Sequence, residues 1–229
     1  MAPISWPGAP NWQGIGQVLL HADSQRDGAD AFEPCDGRGV KALLDGFIPD
    51  PDARERFQLR VAAPPRVVLA VAREYDMQSH PLVHAIFALR ELVKGSRRVP
   101  REPRGLVEEM RAIGWGVLLD DPDRAFVAGA ACQPWLADVR FQPLTASTFR
   151  DHDEPGQVKI AWTLEATSIG GATLLATETR AVATDAAARA QFLRYWRWAR
   201  FGIIPIRWLL LPAVRRRAEA RWRSRSATA

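Results

Sequence analysis

Glu178 and Arg180, in the run Thr177-Glu178-Thr179-Arg180, stand two residues apart in a stretch that reads as a strand. Both therefore project from the same side of a sheet. If that side lines a cavity, a buried carboxylate and guanidinium can orient a polar ligand group or move a proton, which makes Glu178 the candidate for acid/base catalysis. If that side faces outward, the two are a solvated surface pair of small energetic weight. Register decides between these. The Ser168–Gly171 turn accommodates either a two- or a three-residue loop, and the alternatives place Trp162 on the opposite side from Glu178 or on the same one.

The other reactive side chains form no recognisable site. His80 and His84 are four apart, but a shared helix face would have to run through Pro81, and no HExxH motif or matching carboxylate completes a metal centre. His152 sits between Asp151 and Asp153 in an acidic loop and reads as a surface imidazole. Cys132, in the apolar stretch AGAACQPW, reads as a small core residue. There is no GxSxG nucleophile motif and no Walker-type loop. Gly14-Ile15-Gly16 lacks the strand–turn–helix setting and the third glycine of a dinucleotide fingerprint. No metal and no cofactor is expected. Cys35 and Cys132 lie too far apart in sequence, and without histidine spacing, for a zinc ribbon or a disulfide framework, so a reducing cytoplasm is the expected setting.

These residues must be positioned by a chain of 229 residues with 47% hydrophobic and 25% charged content, enough for one domain with a sizeable core. Residues 1–40 mix Pro, Gly, Asp and isolated tryptophans without period and predict a poorly ordered extension with no secretory signal. Val40 is a candidate alternative initiation site. The segment Ala53–Val61 alternates as a half-buried strand, and Pro64 and Pro65 stop it and start a helix with Val67, Val68 and Val71 on its apolar stripe. A second helical pattern spans Leu82–Val93, a Pro/Arg/Gly loop covers 95–105, and a short helix over Leu106–Ile113 ends near Gly114.

The chain then turns to strands: Trp115–Leu119 and Arg124–Ala131 as a hairpin, short candidates at Val139–Phe141 and Thr148–Phe149, then Gln157–Thr167 and Ala172–Ala183 around the Gly170-Gly171 turn. Thr184 or Asp185 caps a last helix with Phe192, Tyr195, Trp196, Ala199 and Ile203 on one face. Pro205 and Pro212 are expected to break or kink the chain beyond that face. The order is α+β, with the last helix laid across an antiparallel sheet and an apolar pocket between them.

Charge is divided unevenly along the chain. From residue 190 onward ten arginines face a single acid, Glu219, giving +9 and leaving the rest of the chain at −4. Four of the nine tryptophans (Trp196, Trp198, Trp208, Trp222) share that tail. Interleaved Arg and Trp suit an anionic membrane surface, with Arg207, Trp208, Arg215, Arg216 and Arg217 as the candidate contacts; a solvated face is the plainer alternative. The apolar run 201–214 is too short to span a bilayer and contains Arg207. No recognition helix or aromatic platform points to specific nucleic-acid binding.

The segments ARERFQLRVAAPPRVV, DEPG (Asp153–Gly156) before the strand holding Trp162, TETR (Thr177–Arg180) and TDAAARAQFLRYWRWAR resemble the START-like, helix-grip proteins. That group is also called SRPBCC and includes polyketide cyclase/dehydrase-like members; more narrowly, the chain resembles uncharacterised bacterial ones. The resemblance spans about residues 41–222. It implies a seven-stranded antiparallel sheet wrapped round a long C-terminal helix, with an internal cavity and no fixed substrate. The domain plan expected is an extension over 1–40, a helix-grip domain over 41–200 and a basic helical tail over 201–229.

The functional expectation is binding of a small apolar or amphipathic molecule in the cavity, with Trp162 and Trp196 lining it and Glu178 and Arg180 as polar contacts. The alternatives are a cyclase/dehydratase-like enzyme using Glu178, and a peripheral membrane module acting through the tail.

Overall fold

The elements that carry the site begin with β1 (Ala53–Val61), α1 (Pro65–Glu74), α2 (Leu106–Ala112), β2 (Gly116–Asp121) and β3 (Ala125–Cys132). Then come β4 (Gln142–Pro143), α3 (Ala146–Phe149) and the hairpin of β5 (Val158–Ile169) and β6 (Ala172–Ala183); a long α4 (Ala186–Ser226) closes the chain. The computed structural model describes residues 42–79 and 103–227, with side chains described for all of these except 78 and 201–205. The expected extension over 1–40, the helical pattern over Leu82–Val93 and the histidine pair His80/His84 lie outside the described residues.

The strands form one antiparallel sheet in the order β1-β6-β5-β3-β2, with β4 pairing off β3. The described residues contribute six strands, where the resemblance implies seven. Alternation in β1 buries Ala53, Phe57 and Val61 on one side and turns Arg54, Arg56 and Arg60 to the other. Central β3 is buried along its whole length because both of its sides are covered. Its Gly129 is required by packing: a Cβ there would meet Leu118 Cδ1 at 2.7 Å and Phe149 Cδ2 at 2.8 Å.

One side of the sheet is covered by α1, α2 and α4. Val68, Leu69, Val71 and Ala72 from α1, with Leu210, Leu211, Val214 and Ala218 from α4, pack on Phe57, Phe126, Trp162, Leu164 and Leu175. Toward the start of α4, Phe192 packs on Ala53, Val158 and Ala181, with Trp196 beside it. The other side is covered by the segment Leu43–Ile48 together with Leu118, Leu144 and Phe149. This is the α+β arrangement expected from the order of elements, with the last helix laid across the sheet as the helix-grip resemblance implies.

Three local expectations are corrected. Thr148–Phe149 belongs to a helical turn, not a strand, because Thr145 and Thr148 cap each other: the Thr145 amide donates to Thr148 Oγ1 at 3.0 Å and the Thr148 amide to Thr145 Oγ1 at 3.4 Å. The short strand lies at Gln142–Pro143 and not at Val139–Phe141. Helix α4, capped by the Asp185 carboxylate on the Ala188 amide at 2.8 Å, continues through Pro205 and Pro212 as one element of 41 residues. Each proline removes one amide, but the buried row Leu210, Leu211, Val214 and Ala218 holds the helix on the sheet. The boundary expected at 200/201 therefore falls inside a continuous helix.

Candidate ligand site beneath the last helix

Register divides the site residues between the two sides of the sheet. The β5–β6 loop is the two-residue alternative: Ile169 pairs with Ala172, and Gly170 (φ 52°) and Gly171 (φ 79°) both take the positive φ that such a loop demands. Trp162 then stands opposite Thr179, and Thr163 opposite Glu178. Trp162 and Thr179 face α4, while Glu178 and Arg180 face away from it.

The four residues expected in one pocket are thus not brought together. Trp162 packs in the main core, its ring 6.3 Å from that of Phe126. Trp196 sits in the separate cluster around Phe192, 5.7 Å from its ring.

Beneath α4 the polar group is Arg207, which the sequence places among membrane contacts. It points inward instead and is only 8% exposed. Its Nη1 donates to the Glu55 carbonyl at 3.3 Å, its Nη2 donates to the Thr179 hydroxyl, and its guanidinium carbon lies 5.4 Å from the Phe57 ring centre. Burial pushes its pKa down to about 10, against the opposing fields of the Glu55 and Glu178 carboxylates. It stays charged at neutral pH. Among the described residues none of its hydrogen-bond acceptors is a carboxylate; the Glu55 and Glu178 carboxylates act on it through space only, and the charge sits among apolar and aromatic side chains.

Behind the sheet, Glu178 and Arg180 are neither in the helix-covered core nor solvated; they are 1% and 2% exposed. Glu178 Oε1 accepts from Arg54 Nε at 2.8 Å and Arg180 Nε at 2.7 Å, and Oε2 accepts from Arg56 Nη1 at 2.8 Å. Arg180 completes its set with the Ile48 carbonyl and the Asp45 carboxylate, both at 2.7 Å. Burial alone would raise the Glu178 pKa, but the hydrogen bonds from Arg180 and Arg56 outweigh it and hold the carboxyl below its ordinary value. The hydrogen bond from Arg180 does the same for Asp45 against a smaller burial effect. For Arg180 burial opposes the charge, and the bonds to Glu178 and Asp45 overcome it and raise its pKa. The cluster clamps the Leu43–Ile48 segment onto the sheet. A carboxylate held this tightly is a poor proton acceptor.

Elsewhere, burial pushes the Cys132 thiol up to about 12, which leaves it without a thiolate at neutral pH. His152 shares a hydrogen bond of 3.0 Å with the Gln157 side chain. Among the described residues no group of three or more His, Cys, Asp or Glu could hold a metal ion, and no helix is long and apolar enough to cross a membrane. On α4, Arg216 and Arg217 are exposed, as is Trp208, and Arg215 pairs with Glu219 at 3.2 Å.

Sequence reasoning missed Arg207 and Thr179 as inward-facing, and Arg54, Arg56 and Asp45 as partners of the Glu178–Arg180 pair. The spacing Arg207, Leu210, Leu211, Val214, Ala218 is the helical signal that places Arg207 on the buried side.

No protein-family model and no curated protein matches this chain. Among solved structures it is similar to CalU16 from Micromonospora echinospora, at 12% identity and a TM-score of 0.24 over 75% of this chain and 86% of that one. It is also similar to Ara h 8.0201, at 8% identity and a TM-score of 0.24 over 70% of this chain and 98% of that one. At these values neither likeness bears on function. The helix-grip arrangement is read from this chain's own strand order and helix packing.

Proposed function

We propose that this chain is a START-like, helix-grip binding protein that holds a small apolar or amphipathic molecule between the sheet and α4, without evident catalysis. The observation that supports this is the chemistry of the helix-covered side. Phe57, Phe126 and Trp162 gather there with aliphatic residues of α1 and α4, and the polar groups converging on them are few: Arg207 and Thr179 at Phe57, and Arg73 and Arg111 over Phe126. Largely apolar linings with a few directed polar groups are the usual composition of small-molecule sites. The cyclase-like alternative needs an acid/base group in that space. Its candidate, Glu178, projects from the opposite side and is bound by three guanidiniums, so the binding reading is preferred.

Native mass spectrometry of the full chain, purified without organic solvent, tests this reading. The expected result is a population heavier than the chain by the mass of a small amphiphile, which Trp162→Ala diminishes. A folded protein that carries no such mass, and takes up none when offered medium-chain amphiphiles, overturns it.

A further inference from the structure

Resting on that reading, we propose that the bound amphiphile carries a carboxylate, and that Arg207 together with the Thr179 hydroxyl receives it beneath α4. The guanidinium has five N–H donors, and among the described residues two reach protein acceptors, the Glu55 carbonyl and the Thr179 hydroxyl. The donors that remain are fixed by the same two bonds and by the Phe57 ring below. A cation removed from water without an anion is among the costliest arrangements in a protein interior, and a hydrogen-bonded counter-charge is what relieves it.

Buried arginine elsewhere in this chain shows how such relief is built: Arg180, also buried, bonds two carboxylates. Arg207 has the burial, but the carboxylates that act on it do so through space and none is hydrogen-bonded to it; a ligand can supply one that is.

The number of charges selects the headgroup. The Glu55 carboxylate already acts on the guanidinium through space, so a headgroup with a single negative charge is the least opposed. A phosphate monoester brings nearly two charges at neutral pH and would leave an excess beside the Glu55 carboxylate. A planar carboxylate also matches the two-pronged geometry of the guanidinium, with the Thr179 hydroxyl positioned to share an oxygen. The apolar chain of the ligand then runs along the aromatic lining formed by Phe57, Phe126 and Trp162.

The experiment compares dodecanoate with 1-dodecanol, which share a chain and differ in headgroup charge, by calorimetric titration of the full chain and of Arg207→Gln and Arg207→Lys. The native protein is expected to prefer dodecanoate by about tenfold or more, the size of a charge-assisted hydrogen bond in a buried site. Arg207→Gln is expected to collapse the ratio of the two affinities toward one, and Arg207→Lys to keep part of it. If Arg207→Gln fails to fold by circular dichroism, Thr179→Val reports in its place and is expected to lower the same ratio.

A dodecanoate preference that survives loss of Arg207, or of Thr179 where that variant is the one that folds, overturns the assignment. So does equal binding of acid and alcohol by the native protein, and in that case the binding function stands. Failure of both ligands to bind folded native protein removes the binding function together with the headgroup assignment.

Discussion

Arg180 and Arg207 are both withdrawn from water, and both are anchored at β6, on opposite sides of that strand. Arg180 meets two carboxylates and a carbonyl at 2.7 Å each, and its charge is stabilised. Arg207 meets a carbonyl, a hydroxyl and a ring, and burial depresses its pKa. Identical side chains thus have different roles. A closed set of partners, one that includes two hydrogen-bonded carboxylates, matches the charge and makes a clamp. An open set leaves a charge whose best partner must come from elsewhere. The pair named by spacing alone, Glu178 and Arg180, turns out to be the closed one.

The sharpest way to break this contrast is Glu178→Gln. Removing that carboxylate leaves Arg180 with Asp45 as its one carboxylate partner, beside the Ile48 carbonyl, and strands Arg56 and Arg54 beside a neutral amide. Breaking one member of a buried ion cluster costs about 3–5 kcal/mol, and partial exposure of Arg54 and Arg56 puts the expectation near the lower end, about 3 kcal/mol. Thermal unfolding should show a fall in Tm on the order of 6–12 °C for a fold of this size. A change of less than about 0.5 kcal/mol would mean that the cluster clamps nothing.

Acid provides a second measure of the same region. The folded pKa of Glu178 lies below its ordinary value of 4.5, and that of Asp45 below 3.8. In this window the unfolded chain binds more protons than the folded one. The stability these groups contribute is therefore present above about pH 4.5 and is lost as the pH falls through their folded pKa values. The native protein should lose Tm on acidification below that point, and Glu178→Gln should lose less. The two curves are expected to converge as the pH falls. Curves that stay parallel would show that Glu178 is not held in its charged form by folding.

How much of this contrast the sequence reveals depends on which signal each element carries. Strands β1 and β5 announce themselves by alternation, and α1 by its prolines, because a half-buried surface imposes its period on the residues. Glu178 and Arg180 are likewise legible as a same-side pair. Which side they occupy is not, because Ser168–Gly171 is compatible with two loop lengths and a shift of one residue exchanges the two sides of the sheet. Their burial is also invisible in the sequence: it comes from Leu43–Ile48, far upstream in the chain, whose Ile48 carbonyl and Asp45 side chain close over the cluster.

Arg207 is obscured for a different reason. Prolines at 205 and 212 read locally as interruptions, and an arginine in a stretch of ten reads as one more surface charge. Tertiary packing overrides both signals, since a helix held by a long buried row tolerates the loss of single hydrogen bonds.

The smallest expected effect discriminates best between the two sides. In protein that native mass spectrometry shows to be free of ligand, Arg207→Met exchanges a buried charge for an apolar side chain of similar reach. The loss includes the hydrogen bonds to Thr179 and Glu55 and the attraction of the Phe57 ring, each worth about 1 kcal/mol. The gain is relief from keeping a cation desolvated, a cost of several kcal/mol in an apolar setting that the fields of Glu55 and Glu178 offset in part. The two nearly cancel, and stability should stay within about 1 kcal/mol of the native value, whereas Arg180→Met should cost about 3 kcal/mol because it leaves the Glu178 carboxylate buried with fewer partners. If Arg207→Met instead costs more than about 2 kcal/mol, Arg207 is a strut of the fold like Arg180, and the distinction between a closed and an open charge disappears. If it is neutral, the fold carries a buried cation that its own stability does not require, which agrees with a role in holding a ligand anion.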